Sequence, residues 1–141
     1  MNKKIEAEIN KLTHRVIGCA MEVHRQMGNG FQEVIYQRAL SIELNLNNIS
    51  HEREMEMPLR YKGFEIGTRR VDFFIEGCLM LEIKAVEKLE GVHKAQAINY
   101  CEAYNISDGL LINFGAQSLQ FHRVYNKKLS NKINKDRDKN K

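Results

Sequence analysis

Two short runs, Arg70-Val71-Asp72-Phe73-Phe74-Ile75 and Leu79-Met80-Leu81-Glu82-Ile83-Lys84, are joined by Glu76-Gly77-Cys78, and they constrain the fold more than any other feature. Both have the composition of strands, and the glycine between them permits a hairpin. Residues directly opposite on antiparallel strands share a face, so parity selects the register. A two-residue loop would pair Val71 with Glu82 and Asp72 with Leu81, mixing carboxylates with apolar side chains on both faces. A three-residue loop pairs Val71 with Ile83, Phe73 with Leu81 and Ile75 with Leu79, leaving one face wholly apolar and setting Asp72 opposite Glu82. Each misplaced large apolar side chain forfeits roughly 1.5 to 3 kcal/mol, so the second register is expected. It also brings Arg70 beside Lys84, a pair of like charges that nearby carboxylates or a bound phosphate would offset.

Around this hairpin the periodicity changes twice. Ile5, Ile9, Leu12, Val16, Ala20, Val23 and Met27 recur at steps of mostly three and four, an amphipathic helix that stops at Gly28-Asn29-Gly30. A second helix is expected over 31–47, with Phe31, Val34, Ile35, Ile42 and Leu46 on its apolar side. After Asn48 the period falls to about two, with Glu52, Glu54 and Glu56 alternating against Arg53, Met55 and Met57, giving a strand whose Pro58 suggests an edge or a bulge. Tyr61-Lys62-Gly63-Phe64 reads as a turn. After the hairpin come a helix over 92–104, a strand over 109–114 that reads as buried, and a last strand over 119–125. The order ααβββαββ predicts an α/β fold with a mixed β-sheet flanked by helices.

The 141 residues suit one domain, expected over 1–125, followed by a basic, disordered tail over 126–141. That tail holds seven Lys/Arg against Asp136 and Asp138, so the body carries 15 basic and 16 acidic residues. The net charge of +4 therefore reports the tail, which offers only weak, salt-sensitive attraction to phosphates. No run approaches the roughly 18 to 20 apolar residues that span a bilayer, so no membrane role is expected. Acidic residues follow Lys3 and Lys4 at once, unlike a secretory signal, and a cytoplasmic location is expected. Cys19, Cys78 and Cys101 are odd in number and far apart, which fits buried small hydrophobes.

Two carboxylates about 5 Å apart on a rigid sheet make a site for a hard divalent cation, Mg²⁺ or Mn²⁺, and the Ile83 carbonyl offers a further oxygen. Lys84 shares the face of Glu82, where it could orient or deprotonate the attacking water, and Lys84 or Arg70 could compensate charge on phosphorus. That chemistry suits phosphodiester hydrolysis. From residue types alone, Glu-x-Lys is equally the solvated face of a strand. His24, His93 and Arg123 could touch phosphate, or serve as structural groups and a surface ion pair.

The segment Gly30-Phe31-Gln32-Glu33-Val34-Ile35-Tyr36, with Val71-Asp72, Glu82-Ile83-Lys84, Gln96 to Tyr100, and Gly109 to Gly115, resembles the GxxExxY proteins of the PD-(D/E)XK nuclease superfamily. Asn29 stands where that family has proline, and valine rather than proline precedes Asp72. The resemblance implies a restriction-endonuclease-like core with an added N-terminal helix. It implies Asp72, Glu82 and Lys84 as catalytic residues, with Asp72, Glu82, Glu33 and Ile83 around the metal. Gln96, Tyr100 and Tyr36, with Arg70, would meet a DNA or RNA substrate. Small enzymes of this fold often form homodimers, an analogy rather than a reading of these residues. The alternative is a catalytically weak nuclease-fold module that binds nucleic acid or serves as an adaptor. A third is a structural or partner-binding domain whose carboxylates take no metal.

Overall fold

In the computed structural model, which describes residues 3–129, the chain runs α1 (Lys3–Met27), α2 (Glu33–Leu46), β1 (His51–Tyr61), β2 (Phe64–Ile75), β3 (Leu79–Lys84), α3 (Gly91–Ala103), β4 (Asp108–Asn113) and β5 (Gln120–Tyr125). This is the expected order. The strands form one mixed sheet in chain order, β1-β2-β3-β4-β5, antiparallel except between β3 and β4. That parallel pair needs a crossover, and α3 supplies it.

Helices cover both faces. Leu79, Leu81 and Ile83 of β3 pack with Phe73, Ile75, Leu110 and Ile112 against α1 and α2. Met80 projects the other way and packs with Ala97, Tyr100 and Cys101 of α3. Alternation along β3 then puts Glu82 on the α3 face, the one charged residue among the five buried positions that precede Lys84. All six residues of β4 are buried, as a central parallel strand requires.

The α1 stripe is buried from Ile9 to Val23, while Ile5 lies exposed. The α2 face differs from the expected one. Phe31, Val34, Ile42 and Leu46 are exposed, and Tyr36, Gln37, Leu40 and Leu44 turn inward. Tyr36 anchors that orientation: its hydroxyl donates to the Gly28 carbonyl at 2.6 Å and accepts from the Phe31 N–H, and its ring stacks on Phe114. A step of four through Tyr36, Leu40 and Leu44 decides which side of the helix is buried.

The β2–β3 hairpin has the three-residue loop, with Phe73 opposite Leu81 and Ile75 opposite Leu79. Glu76 and Gly77 take positive φ, and the Cys78 N–H closes the turn on the Ile75 carbonyl. The ladder ends at Phe73, however, and Val71 joins the α3-side cluster instead of lining the face of Phe73. Pro58 sits on the edge strand β1, beside an irregularity between Leu59 and Arg60. Of the expected tail, residues 130–141 lie outside the described residues. Asn126 is buried, its side chain donating to the Cys101 carbonyl and accepting from the Leu129 N–H.

Candidate active site

The site forms where the β1–β2 ladder changes face. Arg53 opposite Phe73 reaches α2, whereas Met55 opposite Val71 packs toward α3. Between these pairs lie Glu54, at φ +52°, and Asp72. A left-handed residue is costly for glutamate, and here it rotates the strand by one face.

Freed from the regular ladder, Asp72 bridges three elements. Its Oδ2 accepts the Ile83 N–H at 2.7 Å, and its Oδ1 accepts from Gln37 Nε2 at 3.2 Å. The Arg53 guanidinium in turn donates to Gln37 Oε1 at 3.1 Å. The Asp72 N–H donates to Glu82 Oε1 at 3.3 Å, so the two acids are immediate neighbours across the strands. Gln37 is buried, and sequence reading missed it; the available signal was a glutamine on the stripe of Tyr36, Leu40 and Leu44.

Glu82 is 4% exposed. Burial, then the charge of Asp72, pushes its carboxyl up to about 8. Asp72 is also raised by burial, although the Ile83 N–H and Lys84 pull the other way. Glu33, in the first turn of α2, is raised by desolvation and by Asp72 and lowered by Lys84 and Arg69. These responses gather Glu33, Asp72, Glu82, Lys84 and Arg69 into one electrostatic unit. Among the described residues, no three His, Cys, Asp or Glu side chains converge closely enough to hold a cation by themselves.

Beside Lys84, the arginine next to the acids is Arg69, not Arg70. Arg69 lies over the Tyr100 ring, its Cζ 4.9 Å from the centroid, and its charge acts on Asp72, Glu82 and Glu33. Arg70 faces Glu54 and Glu56 of β1 at 3.8 and 3.6 Å, opposite Glu56 in the register. Tyr100 is buried on α3, its hydroxyl raised mainly by that burial and in part by Glu82 and Asp72. Gln96 is half-buried one turn earlier. Tyr36 is occupied in the core, as described above. His24 meets the Ala116 carbonyl, His93 caps α3 through Glu90, and Arg123 pairs with Asp108 at 3.1 Å.

The rim beyond β3 and β4 is tightly tied. Asn113 Oδ1 accepts the N–H groups of Val86 and Gly115, and its Nδ2 donates to the Val86 carbonyl and Gln120. Gly115 lies against the Val86 backbone, where no Cβ fits.

A family model of the PD-(D/E)XK nuclease superfamily matches residues 10–124. The chain belongs to that superfamily. As a PD-(D/E)XK protein it is also similar in fold to a solved structure described as the crystal structure of SSO0001, with a TM-score of 0.53 and 22% identity. That likeness covers 66% of this chain and 50% of the other, so this chain spans about half of its length. No curated protein matches the sequence. No helix among the described residues is long and apolar enough to cross a membrane.

Proposed function

We propose that this PD-(D/E)XK protein, of the GxxExxY type, is a Mg²⁺- or Mn²⁺-dependent nuclease that hydrolyses phosphodiester bonds of DNA or RNA. The observation that carries the reading is the contact of Asp72 with Glu82, two carboxylates held in a buried setting with Lys84 and Arg69 beside them. Isolated carboxylates in such a place resist ionisation, and a cation offsets that resistance. An oxygen-only donor set of this charge fits a hard divalent ion. Asp72 and Glu82 would hold it, with Glu33 and the Ile83 carbonyl completing the set.

A bound cation supplies Lewis-acid stabilisation of the phosphoryl group and acidity for the attacking water. The protein supplies the rest. Gln37 and the Ile83 N–H fix the Asp72 carboxylate. Lys84 orients the attacking water or accepts its proton. Arg69, held on the Tyr100 ring, is the guanidinium available to a non-bridging phosphate oxygen. Gln96 and Tyr100 would position the substrate strand from α3. Cytoplasmic action is in keeping with the three free cysteines.

The reading is tested by incubating labelled single- and double-stranded DNA and RNA with Mg²⁺, Mn²⁺ or chelator. Cation-dependent cutting by wild type, lost in Asp72→Asn and Lys84→Ala, is the expected result. The second reading, a weakly active binding or adaptor module, draws on the near-neutral charge of the body. It would show as nucleic-acid binding without cation-dependent cutting.

A further inference from the structure

The β1–β2 hairpin extends beyond the sheet in a way the catalytic cluster does not use. Sequence reading placed only residues 70–75 of β2 in a strand, but the strand begins at Phe64, and residues 64–70 are all exposed. The connecting turn, Lys62-Gly63, has positive φ at both positions, the tight two-residue turn that matches strand twist. Tyr61 and Phe64 pair directly beside it, at 62% and 75% exposure, and Ile66, unpaired at the irregularity opposite Leu59 and Arg60, is 68% exposed. Three large exposed apolar side chains within six residues at the end of a two-stranded arm mark a contact surface rather than scattered exposure.

Charge is segregated along the same arm. Beyond Thr68 in the register the tip, 58–68, carries Arg60 and Lys62 against Glu65, whereas Glu52, Glu54, Glu56 and Asp72 lie at the root, where Arg53, Arg69 and Arg70 face them. Lys62 lies over the Tyr61 ring. A second copy packed tip to tip would set Arg60 and Lys62 against the same two cations; a polyanion with stackable faces complements these cations and the exposed rings beside them.

We propose that the hairpin tip, through Tyr61 and Phe64, is a nucleic-acid stacking element that holds substrate at a fixed distance from Asp72. The inference rests on the nuclease reading above and adds a contact outside the catalytic cluster. Phe64 and Asp72 are eight residues apart on one strand. That is about 26 Å at the strand rise, or about eight base pairs of duplex. Arg69 lies between them, beside the carboxylates.

The test is fluorescence anisotropy with labelled single strands and duplexes shorter and longer than about eight base pairs. It uses the full chain, with Ca²⁺ replacing Mg²⁺ so that binding is read without turnover. Wild-type affinity is expected to step up about ten-fold or more once the ligand is long enough to reach the tip. The double variant Tyr61→Ser/Phe64→Ser loses that step, and Tyr61→Phe/Phe64→Tyr keeps it. Both side chains are largely exposed, and matching thermal melts exclude misfolding. A step that survives in the serine variant overturns the proposal while cation-dependent cutting leaves the nuclease reading intact. A serine variant that falls from dimer to monomer on gel filtration overturns it in favour of self-association. Absence of binding at every length, together with absence of cutting, overturns both.

Discussion

Gln37 Nε2 donates to Asp72 Oδ1 at 3.2 Å while its own oxygen accepts from Arg53, so a buried amide on α2 sets the orientation of an acid on β2. Removing the amide leaves one Asp72 oxygen without that donor and the Arg53 guanidinium without its acceptor. Gln37→Ala is expected to cost about 1 to 3 kcal/mol in urea unfolding. It also shifts the cation titration of cleavage by about ten-fold or more, as loss of an outer-shell partner does. A purely structural role would lower stability and leave that titration midpoint unmoved.

Stability of the metal-free protein should fall as pH rises from about 4.5 to about 8. Glu82 is raised in the folded chain, so across that window the folded state keeps a proton that the unfolded state has released. Unfolding stability then declines with pH, by the linkage between proton uptake and folding. Thermal melts at stepped pH check it. Glu82→Gln should flatten the decline, and added Mg²⁺ should raise stability most at the alkaline end.

Gly115→Ala should be among the most damaging small changes in the chain. The added methyl would meet the Val86 backbone, which is itself held by Asn113 and cannot move aside cheaply. A loss of about 1 to 3 kcal/mol or more is expected in chemical denaturation.

Cys101 should resist alkylation in the folded protein. It is buried on α3, and burial with nearby Asp108 pushes its thiol up to about 12. Thiolate is the reactive form, so the partly exposed Cys78 should react first in a timed maleimide assay followed by mass spectrometry.

The hairpin of β2 and β3 was legible because alternation admits one register that buries every large apolar side chain on that face from Phe73 to Ile83. The proximity of Asp72 and Glu82 followed from it. The change of face at Glu54 was not legible, since nothing in a glutamate announces a positive φ. Arg70 was consequently expected at the cluster where Arg69 stands. The α2 face was misread because exposed Val34, Ile42 and Leu46 outweighed a stripe containing a tyrosine and a glutamine, both of which are buried through specific hydrogen bonds. The outer half of β2 was missed because its exposed residues lack a buried alternation, and only pairing with β1 makes it a strand.

Single-turnover cleavage of one labelled substrate, titrated with Mg²⁺ and followed beside its binding, tests the central claim most directly. The expected result is saturable, Mg²⁺-dependent cutting by wild type that falls by about a hundred-fold or more in both Asp72→Asn and Lys84→Ala, with binding retained. Cutting that persists in those variants, or that ignores Mg²⁺ and chelator, would contradict the assignment of Asp72, Glu82 and Lys84 as the catalytic centre.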